Sequence, residues 1–245
     1  MRDKIPEHNI QKRIFNRLVG AEFMRYSELK PKELEANLFM YHLNELIKTG
    51  LVEKIDKKYT LTAVGRSTAT RFSIREQTIR VMPSAISVIV LKTKTGEWLL
   101  YKRKRQPYIG SLGFPSGKIH LGDKLIAAAY RELDEKCGYE QSEVDLSYRG
   151  VFNLVENEEA GLKNHIIGHV WQGEVSEKKT FDNHAGETFW GDWKAYPYED
   201  FIPGFKEIVD ALENPEFFGV DLYFEGLCTV SSRNFLMYHE PVSLL

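Results

Sequence analysis

The stretch Gly117–Tyr139, GKIHLGDKLIAAAYRELDEKCGY, constrains this chain more than any other. At roughly 100° per residue, Ile126, Tyr130, Leu133 and Cys137 fall on one apolar stripe. The spacing therefore predicts an amphipathic helix from Asp123 to Cys137, packed by that stripe and ended by Gly138. Asp123 is placed to cap its start. Glu132, Glu135 and Lys136 share the opposite, exposed side, with the small Ala128 beside them. Two carboxylates three apart, under a glycine-bearing loop, can hold Mg²⁺ through oxygen ligands while the metal also binds phosphates. Lys136 works against this. It stands four residues after Glu132, the favourable order for an ion pair, and an ammonium repels a cation. At a partly screened dielectric, one such charge a few ångströms away is worth on the order of several kcal/mol.

The rest of the chain sets bounds. Its 245 residues allow one large domain or two modest ones, and an apolar fraction of 42% can build real cores. Cys137 and Cys228 are lone thiols without CxxC spacing, which excludes a disulfide framework and a thiolate zinc site and suits a reducing cytosol. The N-terminus lacks the apolar run of a signal peptide, and no stretch reaches the roughly 18 apolar residues of a membrane span. The expectation is a cytoplasmic protein without a membrane partner. Net charge is −2, yet residues 1–75 carry 15 Lys+Arg against 9 Asp+Glu, or +6, leaving −8 for residues 76–245. That asymmetry predicts two modules with different partners.

In the first module, residues 1–68, IQKRIFNRLV has helical spacing at Ile10, Ile14, Phe15 and Leu18, and Gly20 stops it. YSELK is a short helix ended by Pro31. KELEANLFMYHLNELIKTG is a longer one, with Leu34, Leu38, Phe39, Leu43, Leu46 and Ile47 apolar and Gly50 as its stop. LVEKIDKKYTLT alternates around an Asp56-Lys57-Lys58 turn and predicts a hairpin. A polar linker, residues 69–79, follows. SAISVIVLKTKTGEWLLYKRKR then predicts two strands joined at Thr95-Gly96, with Arg103 and Arg105 in a cationic strand end facing phosphates.

The residues of the first module resemble winged helix-turn-helix regulators, particularly in YHL..L...GLV and in Y.LT..G after the hairpin. The resemblance implies double-stranded DNA as partner, with the third helix in the major groove and the wing on the backbone. Asn37, Tyr41, His42 and Asn44 would then face bases, and Lys54, Lys57 and Lys58 would contact phosphates. His42, a lone histidine, also reads as a structural helix residue. Glu33, Glu35 and Glu45 dilute the positive charge there, so a dimerising or docking role stays open.

The second module, residues 80–213, resembles the Nudix family. That family's box runs Gly, five residues, Glu, seven residues, Arg-Glu-aliphatic-x-Glu-Glu-x-Gly-aliphatic. Here Gly117 opens it, Asp123 takes the first glutamate position, and Arg131-Glu132-Leu133, Glu135, Lys136, Gly138 and Tyr139 follow in order. LGFPSGK resembles the usual lead-in, and PGFKEIVDAL a later helix. The resemblance implies an α/β/α sandwich with a mixed sheet, so the fold class is α+β with the winged helix leading. It implies Mg²⁺ or Mn²⁺ at Glu132, Glu135 and Gly117, and water attacking a nucleoside diphosphate linked to another group. Arg131, Glu132, Glu135 and Glu187, the last from the loop FDNHAGETFWGDW, would be its catalytic residues. Arg103, Arg105, Lys118, Lys136 and Trp190 would bind the nucleotide-like ligand. Phe189 and Trp193 have the same stacking potential as Trp190, but at least one of the three belongs in a core. Glu156, Glu158 and Glu159 of VENEEAG read as solvated loop acids.

Lys136 departs from the box at its last glutamate, commonly a metal ligand. Two functional readings follow, beside a third in which the chain is a purely structural scaffold. Either the chain is a DNA-binding regulator whose Nudix domain senses a nucleotide-like metabolite, similar to Nudix-related regulators with domain order reversed, or it is an active Mg²⁺-dependent hydrolase. In the second, Lys136 points to solvent or binds phosphate, Glu187 completes the metal site, and the first module dimerises or docks a partner. A homodimer suits either. Residues 214–245, too apolar for a free tail, should pack on the second module, cover its site or form a dimer contact.

Overall fold

A computed structural model of the protein describes residues 5–73, 75–76, 78–158, 161–214, 221–228 and 233–236, with only the backbone described for 158, 161–163 and the last two segments. The chain divides into two compact units, residues 1–81 and 82–245.

The first unit begins with α1 (Asn9–Val19), β1 (Met24–Arg25), α2 (Tyr26–Leu29) and α3 (Ala36–Lys48). His8 starts α1 through a reciprocal cap. Its Nδ1 accepts from the Ile10 amide at 3.1 Å, and its own amide donates to the Gln11 side chain at 3.2 Å. α3 starts later than its apolar spacing predicts, because residues 31–34 close a turn from the Leu34 amide to the Pro31 carbonyl. β2 (Val52–Ile55) and β3 (Lys58–Leu61) form the expected hairpin, but only Asp56 and Lys57 turn it, at φ 46° and 67°. Both central residues lie in the left-handed region, as a two-residue turn matched to strand twist requires. The sheet order is β1-β3-β2. Ile14, Phe15 and Leu18 of α1 meet Phe39, Leu43 and Leu46 of α3 in one buried core.

Secondary structure reaches into the polar stretch read as a linker, among its described residues. α4 (Ala63–Arg71) is capped by Thr62, whose Oγ1 accepts from the Gly65 amide at 3.0 Å, and β4 (Phe72–Ser73) pairs with β5 (Thr78–Ile79). Phe72 is the reason: its ring is buried in the first unit's core, edge-on to Phe15.

The second unit holds β6 (Ser84–Thr93), β7 (Trp98–Arg103), β8 (Leu112–Gly113), β9 (Ser116–Lys118), α5 (Leu125–Cys137), β10 (Ser147–Glu158), β11 (Gly161–Val175), β12 (Gly186–Gly191), α6 (Phe205–Glu213), β13 (Asp221–Cys228) and β14 (Arg233–Leu236). Among the described residues they form one mixed sheet, ordered β12-β7-β6-β11-β10-β13-β14, with β8 on β7 and β9 on β6. The β6–β11 and β10–β13 pairs are parallel, and the others are antiparallel. Strand alternation divides the apolar residues between two cores. Val88, Val90, Trp98 and Leu100 pack with Phe205, Ile208 and Val209 of α6. Ile89, Leu91 and Leu99 pack with Ala129, Leu133 and Cys137 of α5. A sheet covered on both faces needs such continuous apolar runs. Of the C-terminal stretch, 221–228 and 233–236 extend the sheet through β13 and β14; residues 215–220, 229–232 and 237–245, and the Cys228 side chain, lie outside the described residues. Among the described residues, no helix is long and apolar enough to cross a membrane.

Candidate functional site

α5 holds Arg131, Glu132, Glu135 and Lys136 of the predicted site, and its orientation corrects the sequence reading. The helix begins at Leu125 with Lys124 as its cap residue, so Asp123 does not cap it. The Asp123 carboxylate accepts from the His120 amide at 2.9 Å and from Arg131 at 2.6 Å. The Arg131 guanidinium, foremost, holds that carboxyl below the usual aspartate range. Arg131 also donates to the Lys118 carbonyl at 2.9 Å, tying the loop to the helix. It is absent from the cavity lining described below, so its contacts are those of a positioning residue. Gly138 ends the helix at φ 70°, as its position requires.

The buried stripe is rotated from the one that periodicity selects. Ala128, Ala129, Leu133 and Cys137 are fully buried, whereas Ile126 is 37% exposed. Glu132, read as exposed, is only 4% exposed. β9 covers it: a Cβ built on Gly117 would overlap the Glu132 carboxylate, so the helix and loop can approach this closely only at glycine. Glu132 Oε2 is buried with no hydrogen-bond donor. That oxygen faces the Lys136 ammonium, 3.5 Å away, while the Arg131 Nε lies 3.8 Å from Oε1. Lys136 donates to the Ser116 carbonyl and lies 5.6 Å from the centre of the Tyr101 ring. Burial pushes Glu132 up and Lys136 down, each toward its neutral form, while their mutual attraction opposes both shifts.

Glu132, Glu135, Lys136, Gly117 and Lys118 line one cavity of about 540 Å³ together with Arg103 and Arg105. Four cationic side chains therefore line it. Arg103 is aimed by its Nε, which donates to the Pro107 carbonyl at 2.9 Å. The cavity's apolar wall comes from Ile86, Val88, Phe152, Leu154, Ile166 and Phe205.

Two predicted members are elsewhere. Glu187 is on strand β12 rather than in a loop, opposite Lys102, and lines a separate depression with Phe181 and Tyr196. Its carboxylate pairs with Lys104 at 2.9 Å, and Lys104 also reaches Asp182 at 2.5 Å. Trp190 packs against the α5 core and donates its Nε1–H to the Lys179 carbonyl at 2.8 Å, so it offers no face to the cavity. Phe189 and Trp193 pack against the α6 core.

One member was misread. Glu156 is not a solvated loop acid: it sits in β10, is 1% exposed and lines the cavity. Tyr108 donates to its Oε1 at 2.7 Å and Asn164 to its Oε2 at 3.1 Å. The signal was present, since Phe152, Leu154 and Glu156 share one strand parity. Glu159 and the Glu158 side chain lie outside the described residues.

The ligand set implied for Mg²⁺ or Mn²⁺ can be tested against these atoms. The orphaned Glu132 Oε2 would suit a cation, but an ammonium already stands beside it. The Ser116 carbonyl, next to Gly117, is also engaged by Lys136. Among the described residues, no group of three or more His, Cys, Asp or Glu side chains is placed to hold a metal ion. These residues do not fit a divalent metal.

In the first unit, Asn37, Tyr41 and Asn44 are exposed on one face of α3, and Lys54, Lys57 and Lys58 are exposed on the hairpin. His42 is a correction: it is 6% exposed and stacked on His8 at 4.2 Å, so it cannot face a base. Its buried surroundings lower its pKa, as does His8.

Residues 82–213 match the model of the NUDIX domain. Among solved structures, the MutT protein of Bacillus halodurans is similar at 15% identity and a TM-score of 0.49, covering 64% of this chain and 96% of that one. The NUDIX domain of Shewanella oneidensis NrtR, crystallised with ADP ribose, is similar at 14% identity and a TM-score of 0.45, covering 61% and 96%. A NUDIX hydrolase of Nitrosomonas europaea is similar at 17% identity and a TM-score of 0.43, covering 62% and 82%. No curated protein matches.

Proposed function

We propose a function from one premise: the chain belongs to the NUDIX domain family. Hydrolases of this family generally use a divalent metal such as Mg²⁺. We read this chain as a DNA-binding regulator whose second unit binds a nucleoside-diphosphate-type metabolite, with hydrolysis weak or lost. One observation carries the reading: the Lys136 ammonium stands 3.5 Å from Glu132 Oε2, in the place of a cation. The same ammonium, with Arg103, Arg105 and Lys118, suits the cavity to an anionic phosphate chain, and the adjoining apolar wall suits the rest of a nucleotide. In the first unit, read as a winged helix, the exposed Asn37, Tyr41 and Asn44 beside three exposed hairpin lysines support duplex DNA as partner. A homodimer would present two such faces to a two-fold site.

In the alternative reading the chain is an active Mg²⁺-dependent hydrolase and the first unit dimerises or docks. Its support is Glu132 Oε2, a buried carboxylate oxygen without a donor.

One experiment separates them. The full chain is assayed with Mg²⁺ or Mn²⁺ against a panel of nucleoside diphosphate derivatives, wild type beside Lys136→Glu, and then titrated onto a duplex library at several salt concentrations. The regulator reading expects no turnover by wild type, hydrolysis gained in Lys136→Glu, and salt-sensitive, sequence-selective DNA binding that shifts with ligand. Wild-type turnover abolished by Glu132→Gln, with indifference to DNA at low salt, would overturn it in favour of the hydrolase.

A further inference from the structure

The cavity is not uniform along its length. β6, β11 and β10 lie side by side in its floor, and their registers arrange its residues in rows. Lys118 pairs with Ile86, which aligns through Gly168 with Phe152. Leu154 aligns with Ile166, and Glu156 with Asn164. The carboxylate row therefore lies four residues along β10 from the lysine row, about 13 Å at ~3.3 Å per residue. Aliphatic Leu154 and Ile166 lie between. Lys118 and Glu156 therefore belong to separate rows of the floor, with Arg103, held to the Pro107 carbonyl next to Tyr108, standing nearer the Glu156 end.

We infer that Glu156, with Asn164 and Tyr108, is the specificity-determining end of this cavity and reads the hydroxyls of a sugar carried on the diphosphate. This rests on the ligand class proposed above. Among the described residues, each Glu156 oxygen accepts one hydrogen bond, which fixes the carboxylate in position. Each oxygen keeps a second lone-pair direction, so the pair can receive neighbouring hydroxyls together. The Asn164 amide oxygen adds an acceptor that a hydroxyl-rich ligand, itself donor and acceptor, can satisfy in turn. Carboxylates serve ribose hydroxyls in this way in other nucleotide sites. A buried polar site built for a hydroxyl also rejects a ligand lacking it, because the site's own groups are then left unpaired.

The test measures binding of pyrophosphate, ADP and ADP-glucose to the full chain by calorimetry, in wild type and Glu156→Gln. The glutamine keeps the shape and the Tyr108 hydrogen bond, and a rotated Asn164 amide can meet its new N–H. Pyrophosphate should bind both proteins equally, whereas at least one sugar-bearing diphosphate should weaken tenfold or more in the variant. Tyr108→Phe, which frees the carboxylate without removing it, should give a smaller loss of the same selectivity and serves if Glu156→Gln does not fold. Equal weakening of pyrophosphate, or unchanged sugar-ligand affinity, would overturn the assignment while leaving the diphosphate reading intact. Failure of all three probes to bind wild type would overturn the diphosphate reading, and this inference with it.

Discussion

α3 and α5 are both thirteen residues long, and each carries a polar face opposite an apolar one. On α3 the polar face is what it looks like in the sequence: Asn37, Tyr41 and Asn44 meet solvent, and Tyr41 is 61% exposed. On α5 the polar face is an interface, with Glu132 pressed under Gly117 and Lys136 folded back over it. Polarity along a helix tells where water or a partner will be met; it does not say which. The difference lies in the neighbours. α5 is roofed by β9, and among the described residues no such strand covers Asn37, Tyr41 and Asn44.

That contrast can be broken at three depths. The largest effect belongs to the buried pair. Glu132→Gln leaves the Lys136 ammonium without its anion and should destabilise the protein by about 3 kcal/mol in denaturant unfolding, in the range for stripping one partner from a buried pair. Lys136→Met added to it should recover much of that loss, because the remaining group is no longer an isolated charge. Additive losses would mean the two side chains do not form a pair in solution.

Acid sensitivity comes next. Asp123 loses its proton more readily in the folded chain than in the unfolded one, held first by Arg131 and then by the His120 amide. Its contribution is therefore full above the ordinary aspartate pKa and fades as pH falls through the lower folded value. The stability gap between wild type and Asp123→Asn, followed by urea titration, should be widest near neutral pH and close below pH ~4. A gap that is constant across that range would remove the Asp123–Arg131 tie from the account of the loop.

The smallest structural effect lies on α3. Tyr41→Ala should change unfolding free energy by no more than about 0.5 kcal/mol, as exposed substitutions do. On the proposed reading it should nonetheless weaken duplex binding severalfold by mobility shift. A large loss of stability would show that the α3 face is covered in solution.

Much of this was legible in residue order. The helix inside Gly117–Tyr139, the strand pair around Gly96, the hairpin after α3 and the helices flanking them follow from local periodicity and stop signals, while the box itself was carried by the family resemblance. The linker was not legible, because Phe72 is one aromatic in a polar stretch and only the core that receives it makes the segment ordered. His42 offered the same ambiguity from the opposite side: a polar type at a helical position, decided by its stack on His8.

By itself the sequence determined the family, the glycine-bearing loop before α5, and the presence of an ammonium where the box calls for a carboxylate. These are matters of residue identity and spacing along one chain. Only the tertiary structure decided that Glu132 is buried, that Glu187 and Trp190 lie away from the cavity, and that Glu156 lines it. Each depends on which strands lie side by side, since a strand sends alternate residues to opposite faces and the sheet order, not the sequence order, selects their neighbours.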